Sequence, residues 1–153
     1  MAIVELAAPL AAHRTVFVDT MIFVYLLEEH PRYAAPAATV LSAIEQDALA
    51  GVTSMLTMAE LLTGPARAGN LTALRDYELY LTNFPHLRLH PFDADVARRV
   101  ALVRAATGLR TPDAIQLATA AAAGATAVVT NDQGWRGKTG PMALVLIEEV
   151  TLE

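Results

Sequence analysis

Five short strand-like runs alternate along this chain with longer segments of helical period. Thr15–Val18 is β-branched or aromatic throughout and stops at Asp19, the signature of a strand buried on both faces. Val52–Ser54, Ala127–Thr130 and Met142–Ile147 read the same way, and Leu87–His90 alternates Leu with Arg88 and His90. A short helix is predicted over about Met21–Glu29, ending before Pro31 because the residue ahead of a proline avoids helical backbone. Ala34–Leu49 repeats Val40, Ile44 and Ala48 every four residues, with Gly51 as its expected C-terminal cap. Thr57–Leu62 begins a helix expected to stop near Gly64-Pro65. Asn70 is placed to cap a helix carrying Leu71, Leu74 and Leu81, and Asp93 one carrying Val96, Val100 and Val103 that ends at Gly108. Thr111 is the expected cap of the last helix, with Pro112 at its first position, Asp113 in its first turn and Gly124 at its end.

Strands without polar alternation, separated by helices, indicate a parallel sheet covered on both faces. The expected fold is three-layer α/β/α with a central, mostly parallel sheet of four to five strands. A length of 153 residues, without repeat or low-complexity linker, predicts one domain over 1–153. With 54% hydrophobic and 18% charged residues, disorder is excluded. Residues 114–131 carry no charge and approach the length of a membrane span, yet they are rich in Ala and Thr, and Gly124 splits them into a helix and a strand. The first fourteen residues have an acid inside a short apolar stretch and no basic start, unlike a secretory signal. A chain without a membrane segment, located in the cytoplasm, is expected. The absence of cysteine agrees with a reducing compartment and excludes a disulfide frame, a thiolate metal site and a Cys nucleophile.

The candidate chemistry lies in four isolated acids. Asp19 directly follows the first strand, Glu60 sits on the helix after the second, Asp113 opens the helix before the fourth, and Asp132 follows the fourth by two residues. A doubly wound sheet gathers such positions beyond the carboxyl ends of its strands. Carboxylates brought together there repel by about 1–4 kcal/mol per pair at the effective dielectric of a protein surface, unless something neutralises them. All-oxygen acidic sites suit hard divalent cations, Mg²⁺ or Mn²⁺, and these residues therefore point to a metal-dependent phosphodiesterase in which a metal-activated water attacks phosphorus. Thr20, Thr130 and Asn131 are candidates to hold a ligand water or the phosphate, and Arg110 and Arg136, with Lys138, to meet phosphates at a basic rim. A net charge of −5 argues against long-range attraction to nucleic acid, though ten of the eleven basic residues are arginines, whose fork suits phosphate. The four histidines offer no convincing metal pair, and the usual N and S ligands of zinc are missing. No Ser-His-Asp arrangement or phosphate-binding G-x-x-x-x-G-K-[ST] loop supplies another engine.

Each acid also has a plainer reading. Asp19 could cap the helix after it, Asp113 could complement a helix dipole, and Asp132 could be an ordinary turn acid; Glu60 on an apolar helix is harder to explain. Trp135 is expected to anchor packing rather than stack on a base, and Tyr77 and Tyr80 to serve a core or interface. A binding module that holds metal or RNA without cutting it is the competing function. A phosphoryl-accepting enzyme is disfavoured because its D-x-D pattern would need an acid where Met21 stands.

Taken in order, V-F-V-D19-T, M-A-E60-L-L-T-G, D93-x-D-V-A-R-R-V-A, T-P-D113-A-I-Q-L-A-T-A and V-V-T-N-D132 resemble the PIN domain family, and more narrowly the VapC-type ribonuclease toxins of toxin–antitoxin pairs. The resemblance runs from about Arg14 to Leu146. It implies a Mg²⁺- or Mn²⁺-dependent endoribonuclease acting on RNA, a homodimer, and a cognate antitoxin protein as inhibitor. On it, Asp19, Glu60 and Asp113 match the family's three core metal-site acids and Asp132 the more variable fourth. The chain departs from the pattern at Met21, where family members usually carry an Asn that supports the acidic site by hydrogen bonding.

Overall fold

The computed structural model describes residues 9–150; residues 1–8, most of the apolar start read above, lie outside the described residues. In chain order the elements are β1 (Thr15–Val18), α1 (Thr20–Leu27), α2 (Ala34–Glu45), β2 (Ala50–Ser54), α3 (Met55–Arg67), α4 (Leu71–Asn83), β3 (Leu87–His90), α5 (Ala94–Thr107), α6 (Thr111–Ala122), β4 (Ala127–Thr130) and β5 (Ala143–Leu146). The strands form one sheet in the order β3-β2-β1-β4-β5, every pair parallel. The expected architecture is therefore present, with all five strands parallel. Among the described residues no helix is long and apolar enough to cross a membrane.

The strands are apolar in both directions because the sheet has a core on each face. Val16 and Val18 pack with Ile22, Val40 and Ile44 on the side of α1 and α2, whereas Phe17 between them packs with Val100, Leu117 and Trp135 on the side of α5 and α6. Ala127 and Val129 likewise join the first cluster and Val128 the second. The two-residue alternation of side chains is thus an alternation between two apolar layers. Trp135 is 1% exposed, in keeping with a packing role.

Several helix ends differ from expectation. α2 stops at Glu45 and the chain turns through Asp47 (φ +63°), which lets Leu49 drop into the core before β2 begins at Ala50. Gly51 is therefore no cap but a strand residue under α2: a Cβ there would stand 2.7 Å from Ile44 Cδ1. α3 runs through Gly64-Pro65 to Arg67. The proline falls in the final turn, so its cost is confined to the helix end, and α3 packs there against α4 as a helical hairpin. Thr111 is not the cap of α6. The first intrahelical bond runs from Ala114 N to Arg110 O (2.9 Å), which makes Arg110 the cap and leaves Thr111 inside. Asn70 and Asp93 cap α4 and α5 through Ala73 N (3.0 Å) and Val96 N (2.9 Å), as expected.

The strand order fixes where a ligand can enter. From β1 the chain winds outward to β2 and β3, then returns to the other side of β1 with β4 and β5. The connections after β1 and β4 diverge, and a crevice opens at their carboxyl ends.

Candidate active site

Asp19 is the residue at which β1 ends: its N–H still bonds Val129 O of β4 (3.0 Å), and its side chain caps α1. The carboxylate is 8% exposed and accepts three bonds, from Thr20 N (2.8 Å) and Gln116 Nε2 (3.1 Å) on Oδ1 and from the Thr130 hydroxyl (2.7 Å) on Oδ2. Burial pushes the Asp19 carboxyl above its usual range; Thr130, Gln116 and the Thr20 N–H pull it back, and the charge of Glu60 adds to the rise. The protein's own donors thus leave this buried charge under-compensated.

The other acids arrive from separate elements. Glu60 lies one turn into α3, exposed, and accepts from the Thr20 hydroxyl (2.9 Å). Asp113 stands half-buried in the first turn of α6. Asp132, exposed after β4, accepts from Gly134 N (2.8 Å) and caps the 3-10 turn Gln133–Trp135. The capping roles weighed for Asp19 and Asp132 therefore hold. All four nevertheless line one pocket of about 260 Å³, together with Thr20, Met21, Tyr25, Pro112, Gln116 and Asn131. A larger cavity of about 550 Å³ lies between α2 and α4, but its lining is mainly apolar, with Glu45 the one charged residue; the chemistry belongs to the smaller pocket.

The donor set fits a hard divalent cation in kind: four carboxylates, hydroxyls and amides, with no basic side chain in the pocket lining. In spacing it is looser. Among the described residues no three carboxylates or imidazoles draw together as a ready-made ligand group, so the acids ring the pocket rather than a point.

The polar residues named from sequence occupy varied places. Thr20 is tied to Glu60, and Thr130, fully buried, stands behind Asp19 and also accepts from Asp132 N (3.1 Å). Asn131 Nδ2 donates to Tyr25 Oη (2.8 Å). Arg110 is exposed at the head of α6, beside the pocket residues Pro112 and Asp113. Arg136 instead pairs with Glu149 at 3.8 Å, and Lys138 borders an apolar groove with Leu102 and Leu117. Met21 reaches the pocket 41% exposed; the amide that supports Asp19 comes from Gln116. Sequence reading missed Gln116, with Ser54, Thr57 and Tyr25. The available signal was spacing: Thr57 precedes Glu60 by three residues and Gln116 follows Asp113 by three, one turn away in each case.

The family model of the PIN domain matches residues 16–139. The chain belongs to the PIN domain family. No curated protein sequence matches it significantly. Solved structures share its fold at low identity. VapBC2 from Rickettsia felis, bound to a DNA fragment from its promoter, is 18% identical, with 86% of this chain and 98% of that one covered and a TM-score of 0.68. FitAcB from Neisseria gonorrhoeae is 23% identical over 87% and 98%, also with a TM-score of 0.68. A toxin–antitoxin complex from Klebsiella pneumoniae is 21% identical over 86% and 97%, with a TM-score of 0.66. In each case this chain spans nearly the whole of the matched chain.

Proposed function

We propose that this PIN domain is an endoribonuclease of the VapC toxin kind, hydrolysing RNA phosphodiester bonds with the help of Mg²⁺ or Mn²⁺. The observation that carries the reading is the convergence of Asp19, Glu60, Asp113 and Asp132 on one pocket at the switch point of the sheet. Asp19, Glu60 and Asp113 would hold the cation, with Asp132 at the pocket's exposed side. When bound, it would neutralise the phosphate and acidify a water for in-line attack. The chain's own part is to hold the charges in place. Thr130, Gln116 and the Thr20 N–H orient Asp19, while the Thr20 hydroxyl orients Glu60. Arg110 would draw the RNA backbone toward the head of α6. The direct test incubates the purified chain with RNA and Mg²⁺ or Mn²⁺, beside EDTA and Asp19→Asn controls. Cutting that persists through both controls would remove the metal mechanism.

A second reading, a PIN domain that binds RNA or metal without cleavage, draws on the unclustered carboxylates and on Met21. Metal binding without cutting of any RNA would favour it.

A cognate antitoxin is the expected protein partner, in keeping with the toxin–antitoxin complexes among the neighbours of the same fold. A groove of about 330 Å³ between α1 and the α3–α4 hairpin, lined by Val24, Leu27, Leu61, Pro65 and Tyr77, shares Glu60 with the acidic pocket. An apolar segment seated there could present a basic side chain to the acids. Tyr77 is thereby given an interface role. Co-expression with the product of the adjacent gene tests the pairing; failure to co-purify or to relieve toxicity would count against it.

A further inference from the structure

Gln116 stands on the helix that carries Asp113 and is bonded to both of the other segments from which the core acids come. It is 2% exposed, on the face of α6 that meets the sheet, one turn beyond Asp113. Its Nε2 donates to Asp19 Oδ1 (3.1 Å) at the β1–α1 junction and to Thr57 Oγ1 (2.9 Å) on α3, with Thr20 Oγ1 at 3.2 Å. Its Oε1 accepts from the Ser54 hydroxyl at the head of α3. Ser54 Oγ in turn accepts from Thr57 N (3.0 Å) and so caps that helix.

A proton inventory gives these contacts a direction. Ser54 gives its one hydroxyl proton to Gln116, which uses both amide protons, on Asp19 and on Thr57. Thr57 then has its own proton for Thr20 Oγ1 (2.9 Å), and Thr20 has its own for Glu60 Oε1 (2.9 Å). Every hydroxyl donates once, and both ends of the relay are carboxylates. This assignment needs a residue that accepts from one side and donates twice on the other, which a primary amide does. A carboxylate there would face Asp19 without a proton, and an apolar side chain would take a donor from Asp19 and leave the Ser54 hydroxyl only the longer contact to Thr57 Oγ1 at 3.4 Å.

We propose that Gln116 is a positioning residue for the acidic site: it sets the spacing of Asp19, Glu60 and Asp113 and thereby the affinity for a divalent cation. The inference rests on the metal-dependent reading above. The two i, i+3 relations make the coupling mechanical, since Thr57 lies one turn before Glu60 and Gln116 one turn after Asp113. A tie between these two residues holds α3 against α6 directly behind the acids.

The test is Mn²⁺ binding by calorimetry on the whole purified chain, with thermal unfolding as a check of folding. Gln116→Met keeps the length and volume of the side chain and removes its polar atoms. Its Mn²⁺ dissociation constant is expected to rise about 10–100-fold, the usual effect of losing an outer-shell partner of a metal ligand. Thr57→Val cuts the same relay at its next link and is expected to weaken binding in the same direction, whereas Thr57→Ser restores the wild-type constant. This pair serves as the test if Gln116→Met does not fold. A folded Gln116→Met that binds within twofold of wild type overturns the proposal, as does a Thr57→Val that binds like Thr57→Ser. Asp113→Asn separates the two levels of the argument. If it abolishes binding while Gln116→Met and Thr57→Val bind within twofold of wild type, the role of Gln116 alone fails. If wild type does not bind, or Asp113→Asn binds as wild type does, the metal reading fails and takes this inference with it.

Discussion

Thr130→Val isolates what one buried hydroxyl contributes to the acidic site. Thr130 is fully buried at the end of β4 and donates to Asp19 Oδ2 at 2.7 Å. A bond to an ionised acceptor contributes about 1.5–3 kcal/mol. Valine has nearly the same shape and offsets part of that loss, since burying an added methyl gains about 0.8 kcal/mol. The second partner, Asp132 N at 3.1 Å, belongs to an exposed residue that water can serve. The net expectation is a loss of about 1–2 kcal/mol at neutral pH, which moves a urea midpoint down by roughly 0.5–1 M for a slope near 2 kcal/mol/M. The effect should shrink as the pH falls and Asp19 gains a proton, because a neutral acceptor makes a weaker bond. In an Asp19→Asn background most of the loss should vanish, the two residues being in direct contact. Metal-free urea titrations of the four proteins, at neutral and acidic pH, measure all of this. A Thr130→Val chain as stable as wild type at neutral pH, or a deficit that grows on acidification, would refute the reasoning.

Three further outcomes can be checked. Folded Asp19 titrates above its unfolded value, so its contribution is fully present below the unfolded pKa and is lost as pH rises through the folded one. Metal-free Asp19→Asn should therefore melt higher than wild type at neutral pH, with the gap closing in acid; a constant gap would contradict the sign. Arg110→Ala should raise KM for RNA and reduce the slope of log affinity against log salt by roughly 0.7, while Arg136→Ala, already paired with Glu149, should change neither. Equal effects of the two would discard the rim at the head of α6. Gly51→Ala would push a Cβ to 2.7 Å from Ile44 and 3.1 Å from Leu87, so denaturation should show a loss of about 1–3 kcal/mol from overpacking.

Much of this protein was written in its local pattern. Strand runs such as Thr15–Val18 and Ala127–Thr130 announce burial on both faces, because a half-exposed strand cannot afford four successive apolar or β-branched residues. Asn70 and Asp93 mark helix starts because their short polar side chains satisfy otherwise orphaned N–H groups. The acids after those strands were conspicuous for the same reason, as charge placed where the chain leaves the interior. Three-dimensional structure decided the rest, since it depends on partners distant in sequence. α2 ends where Leu49 must enter the core, and Gly51 is required by Ile44 lying over it, neither of which local propensity encodes. Gln116 looked like one polar residue on an Ala-rich helix until packing brought it against Asp19, 97 residues earlier. A sequence can declare which side chains are chemically able to act; only the fold, by choosing which of them share a pocket and a proton, makes them a site.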